Sequence, residues 1–180
     1  MRRPGYSGQQ KILHWLSVIV ILWALISGFY VSLFDVPLAI KEWVAFVNVS
    51  LTTLYLPFFA LRVYLSFGYH RSVGVHNRSL AESLALFVHR LIYLVIGVVL
   101  VTGILMMDRA ISVFDLFFIP QPLDNPDFIA LSVTVHVWAC LLLALLIALH
   151  VTAVIKHEVS GRSVLERMSF RVSADWKKND

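Results

Sequence analysis

The chain has 180 residues, of which 59% are hydrophobic and 14% charged, with a formal net charge of +4. A water-soluble fold of this length keeps too much surface to hide so much apolar side chain, so the composition excludes an ordinary soluble domain and points to lipid as the solvent. The lone cysteine, Cys140, excludes an intramolecular disulfide and a cysteine-ligated cluster, and it reads as a small packing residue.

Arg2, Arg3 and Lys11 precede the first apolar run, 12–34. That run is longer than a signal-peptide core and lacks a small-x-small cleavage site, so it predicts a retained span. The second, 44–67, contains Pro57, whose missing N–H predicts a kink. The link that follows is basic and holds His70 and His76, which need no special role in a solvated loop. The third run covers 84–107 and the fourth 128–155. Each reaches the roughly 20 residues that a helix needs to cross a bilayer. Between them, 108–127 carries Pro120, Pro122 and Pro126 and predicts a non-helical outer segment. The tail, 158–180, reads either as a short amphipathic helix on the membrane surface or as a partly ordered polar segment. Basic residues gather before the first span, between the second and third, and after the fourth. The positive-inside rule then places both termini in the cytoplasm and accounts for the charge without nucleic acid. The expectation is an all-α, integral membrane four-helix bundle, one domain over 1–180, with both termini cytoplasmic.

Ionisable residues inside spans are costly and are therefore functional suspects. Here they are mostly histidines: His14, His89, His136, His150 and His157 fall in spans or at their ends. His136 and His150 are 14 residues apart, which on a helix means nearly one face and about 21 Å along the axis. One thus lies near each membrane surface, and His157 continues the stripe. A porphyrin iron takes an axial histidine nitrogen, with a second ligand from another helix for six-coordination. His14 lies near the start of the first span, at the depth expected of His150, so these two are expected to clamp a haem. The competing reading is separate histidines bonded to neighbouring helices. Gly28, 14 residues beyond His14, either leaves room for a flat macrocycle or marks close helix packing. Arg62, near the cytoplasmic end of the second span, needs an anion. A haem propionate would serve, and snorkelling to lipid phosphate is the alternative. His89, beside Arg90, and His157 either meet a quinone, relay protons, or bond to an interfacial loop.

These fragments together look familiar. Leu13-His14-Trp15, Leu61-Arg62, His89-Arg90-Leu91-Ile92-Tyr93, Gly103-Ile104-Leu105-Met106-Met107, His136, Leu149-His150-Val151 and Lys156-His157 resemble the bacterial cytochrome b561 family. Its members are small four-helix inner-membrane haem proteins that include superoxide:ubiquinone oxidoreductases. The resemblance covers almost the whole chain. It implies two haems b, one between His14 and His150 on the cytoplasmic side, the other on His136 opposite a histidine near the outer start of the second span. The matching segment here reads Val47-Asn48-Val49-Ser50, with Asn48 placed 14 residues before Arg62. Asn48 therefore stands where the second outer ligand is expected, and an amide is a poor iron ligand beside imidazole. Three outcomes stay open: no outer haem, a five-coordinate haem on His136, or ligation by Met106 or Met107. The resemblance further implies electron transfer to or from quinone in the bacterial inner membrane, with superoxide or a periplasmic redox partner as donor. The alternative is a haem-binding anchor subunit of a respiratory dehydrogenase.

Overall fold

The computed structural model describes residues 7–72 and 80–161. Four long helices dominate: α1 (Gly8–Leu33), α2 (Leu38–Ser72), α3 (Leu80–Leu105) and α4 (Pro126–Val159). All four are long and apolar enough to cross a membrane. Their outer faces leave Ile19, Ile26, Leu94 and Trp138 each more than 60% exposed, as lipid-facing side chains are. The tail beyond residue 161, on which the surface-helix reading rests, lies outside the described residues, as does His76.

The helices run past the apolar segments because capping chemistry, and not hydropathy alone, sets their ends. Ser7 and Gln10 form a capping box. The Ser7 hydroxyl accepts from Gln10 N at 3.3 Å, and Gln10 Oε1 accepts from Ser7 N at 3.0 Å. Two otherwise orphaned N–H groups are thereby satisfied, and α1 starts several residues before its apolar run. Pro37 separates α1 from α2 after a turn too short for anything but an antiparallel pair. At α4, the Asn125 side chain accepts from Asp127 N at 2.8 Å, with Pro126 in the first turn. Asp127 lies at the positive end of that helix dipole and Lys156 and His157 at the negative end. Pro57 is accommodated inside a continuous α2. It supplies no N–H for the carbonyl of Thr53 one turn earlier. The Thr53 hydroxyl is also buried with no hydrogen-bond partner among the described residues.

The helices pack as two hairpins, α1 on α2 and α3 on α4, and the hairpins meet less closely. A central layer joins all four: Val20, Ile21 and Leu25 of α1, Tyr55 and Phe59 of α2, Val95, Ile96 and Leu100 of α3, and Leu143 and Leu146 of α4. One polar chain crosses this layer. The Tyr55 hydroxyl donates to Ser17 Oγ at 2.6 Å, and Ser17 donates to Leu13 O at 2.6 Å. Every proton in that chain has an acceptor, as a buried polar group in lipid requires.

The segment between α3 and α4 is non-helical, as its prolines predict, but it also holds a β-hairpin that the sequence reading did not foresee. β1 (Ile111–Val113) and β2 (Phe117–Ile119) pair antiparallel. The turn places Phe114 (φ 49°) and Asp115 (φ 57°) in the left-handed region. The hairpin is fastened to α2 by Ser50, which is fully buried. Its hydroxyl donates to Ser112 O at 3.2 Å and accepts from Phe114 N at 3.1 Å. The end of the bundle carrying this hairpin is called distal below. The end where α1 begins and α4 finishes is proximal.

Candidate functional site

At the proximal end each helix contributes one polar side chain to a common cluster. α1 places His14 there, α2 Arg62, α3 His89 and α4 His150. Arg62 turns inward: its Nη2 lies 2.8 Å from His14 Nδ1, and its guanidinium carbon lies 5.2 Å from the centre of the Tyr93 ring. The rings of His89 and His150 meet edge-to-face with centroids 4.9 Å apart. Two sets of contacts make up the cluster: His14 to Arg62 to Tyr93, and His89 to His150.

Hydrogen-bond chemistry assigns protons within it. A guanidinium only donates, so His14 Nδ1 accepts from Arg62, and neutral His14 carries its proton on Nε2. A backbone carbonyl only accepts, so His89 Nδ1 donates to Ala85 O at 2.7 Å. That leaves His89 Nε2 as the free lone pair. His14, Tyr93 and Tyr55, which surround the Arg62 guanidinium, are not anions, and the snorkelling alternative does not describe its pose, since it lies on these side chains inside the bundle.

The remaining sequence candidates separate from this cluster. His136 lies 14 residues before His150 on α4, about 21 Å toward the distal end. Its Nδ1 is 3.1 Å from Val99 O and 3.1 Å from Thr102 Oγ1, both on α3. Its Nε2 is 3.5 Å from Cys140 Sγ, one turn along its own helix. The ring is seated against Gly103, where a Cβ would come within 3.1 Å of His136 Cε1. Asn48 bonds elsewhere: Ser27 Oγ lies 3.0 Å from its Oδ1 and 2.7 Å from Trp23 O. One hydroxyl proton cannot serve both oxygens, so the amide is best oriented with its NH₂ toward Ser27. Met106 and Met107 end α3 through backbone bonds to Thr102 O and Ile104 O. His157 falls in the last turn of α4, about 10 Å beyond His150. At Gly28 a Cβ would meet no heavy atom within 4 Å. That overturns close helix packing as the reason for this glycine and leaves open space there.

Two clefts open where the hairpins meet. One, of about 460 Å³, lies between α1 and α4 at Leu22, Ile26, Phe29, Ala144, Ala148 and Val151. The other, of about 670 Å³, lies between α2 and α3. Among the described residues no group of three His, Cys, Asp or Glu side chains forms a bare metal-ion site. The proximal imidazoles His14 and His150 come from different helices, α1 and α4.

A model of the family described as prokaryotic cytochrome b561 matches residues 5–171. The chain belongs to the prokaryotic cytochrome b561 family. No curated protein matches it. Cytochrome b561 proteins are membrane b-type cytochromes that bind haem b and carry electrons, and four apolar helices in this chain make it a multi-pass member. Sequence reasoning missed Tyr93 beneath Arg62, although it lies one helical turn from His89. It also missed Thr102 and Cys140 around His136, although Cys140 stands four residues from it, on the same helix face.

Proposed function

We propose that this cytochrome carries electrons through a haem b held between His14 and His150, and that it exchanges them with membrane quinone. The observation that carries the reading is the four-helix cluster at the proximal end, where two imidazoles from α1 and α4 converge beside a cation. The donor set fits the group. Two neutral imidazoles supply axial nitrogens, and a guanidinium supplies the counter-charge for propionates. Bound there, haem supplies a one-electron couple shielded from water by the apolar bundle. His14 would offer an unprotonated Nε2 as its other neutral tautomer, with the proton on Nδ1, which requires Arg62 to turn off Nδ1. Arg62, turned toward a carboxylate, would leave His14 Nδ1 free to carry that proton.

The distal residues do not fit a second haem gripped by two imidazoles. They offer one imidazole, His136, whose two nitrogens already have neighbours on α3 and at Cys140. The position expected for its partner holds Asn48, engaged with Ser27. Among the described residues the other histidines are all proximal. We therefore favour one six-coordinate haem, with His136 and Gly103 acting to lock α3 against α4. A route from superoxide would require electron entry at the distal end, and these distal residues give no support for it. His157, at the end of α4, is assigned no part in electron transfer, and the cytoplasm is the proposed side for the proximal end.

The test is a reduced-minus-oxidised spectrum with haem counted per chain in the purified protein, followed by reduction with a short-chain ubiquinol. A bis-imidazole spectrum lost in both His14→Ala and His150→Ala is expected. A colourless folded protein would refute the reading.

A further inference from the structure

At the distal end α3 is the short member of the bundle. It stops at Leu105, two residues past Gly103, which packs on His136. α4 begins at Pro126, ten residues from His136, so it runs about 15 Å further out. On α2, Ser50 lies 12 residues from the helix start at Leu38, again about 18 Å short of that end. The β-hairpin is fastened at Ser50, and a three-residue strand spans only about 10 Å. The β-hairpin is therefore recessed between the ends of α2 and α4, at the level where α3 has stopped.

That level falls within the bilayer. α2 has no charged residue between Glu42 and Arg62, and Ser50 stands eight residues into this stretch, about 12 Å from Glu42. Tyr30, Phe34, Trp43 and Phe128 are exposed around the same end of the bundle, the residue types that gather where a membrane meets water. The β-hairpin itself is two-sided. Ile111 and Val113 are buried against the bundle, whereas Leu116 is 79% exposed and Phe118 67%. A β-ribbon with one face in water carries polar residues on that face, so this free edge needs an apolar cover.

We propose that the cover is lipid: Leu116 and Phe118 dip into the distal leaflet, and the β-hairpin is an interfacial membrane anchor in the place of the missing end of α3. Position selects this occupant. A water-soluble partner would meet the α1–α2 turn and the start of α4 before it reached Phe118, while lipid lies beside the recess. Asp115 limits the depth. It is exposed in the turn, and its Oδ1 accepts from Ser112 Oγ at 2.6 Å. A carboxylate is costly in hydrocarbon, so the anchor stops at the headgroup boundary.

The experiment uses the full chain in phosphatidylcholine nanodiscs, with Cys140→Ala as background and the fluorophore NBD attached at Leu116→Cys or Phe118→Cys. Leu94→Cys, on the lipid-facing side of α3, and Asp124→Cys, in the loop before α4, give the two reference environments. At both β-hairpin sites a doxyl-labelled phosphatidylcholine should quench emission as it does at Leu94→Cys, and aqueous iodide should quench severalfold less than at Asp124→Cys. The two sites are independent and both exposed, so a variant that fails to fold leaves the other to decide. Iodide quenching equal to that at Asp124→Cys would place the β-hairpin in water and overturn the proposal. Shielding from both quenchers would also overturn it, since the cover would then be protein, a second copy of this chain or another partner.

Discussion

Replacing Arg62 by Met separates the role of this cation from the stability of the fold. The guanidinium sits 2.8 Å from His14 and over Tyr93 at 5.2 Å, half-buried in an apolar bundle. Removing a charge from a membrane span relieves an insertion cost, about 2.5–3.5 kcal/mol at a helix centre. The stem of Met fills much of the same space, so the helices should still assemble. A charged hydrogen bond to a propionate is worth about 1.5–3 kcal/mol. Haem retention should therefore fall roughly 10- to 150-fold, since about 1.4 kcal/mol is a factor of ten. The same change also removes the donor that holds His14 in the tautomer unable to ligate at Nε2. Haem should then enter faster even as it leaves more readily. The assay is haem transfer to an excess of apomyoglobin, followed at the Soret band, with association measured separately on haem-depleted protein. Arg62→Lys keeps the charge but presents fewer donors and should fall between. Equal retention in wild type and Arg62→Met would refute the role of this cation.

Three further outcomes are expected. His136→Ala should leave the bis-imidazole spectrum intact. It should lower thermal stability by about 1–3 kcal/mol, because the ring bonds Val99 O and fills the space beside Gly103; loss of the spectrum would show that His136 ligates iron. Asn48→His should raise the haem count above that of wild type if the distal end retains space for a macrocycle, and titration by pyridine haemochrome reads this directly; a wild-type count of two would contradict the assignment of a single haem. Ser50→Ala strips both bonds that tie the hairpin to α2 and leaves Phe114 N without a partner, so stability should drop by about 1–3 kcal/mol; an unchanged melting temperature would refute that fastening.

The bundle was legible because lipid leaves the backbone one economical answer: an apolar run of sufficient length has to be a helix. The proximal histidines were legible for a related reason, since depth along a span is counted in residues. His14, Arg62, His89 and His150 could be placed at one level before any coordinates existed. Which way Arg62 turns was not legible. A long side chain at that depth reaches either the lipid surface or a neighbouring helix, and only the packing of α1 on α2 decides between them. The hairpin was hidden because its turn puts Phe114 and Asp115, and not glycine or asparagine, in the left-handed region. Ser50 and the Phe46–Phe114 ring contact at 5.9 Å hold that conformation from outside the turn. The start of α1 at Gly8 lies before its apolar run because the Ser7–Gln10 capping box, which hydropathy does not register, sets that end. Asn48 was conspicuous as a departure from the family pattern, but its bond to Ser27 depends on the facing of two helices that periodicity does not specify.

The most direct measurement is low-temperature electron paramagnetic resonance of the oxidised protein alongside haem counting, on wild type, His14→Ala, His150→Ala and His136→Ala. A single low-spin bis-histidine signal at one haem per chain is expected, abolished by either proximal substitution and untouched by the distal one. A signal that survives the loss of His14 or His150, or that disappears with His136, would contradict a haem held between α1 and α4.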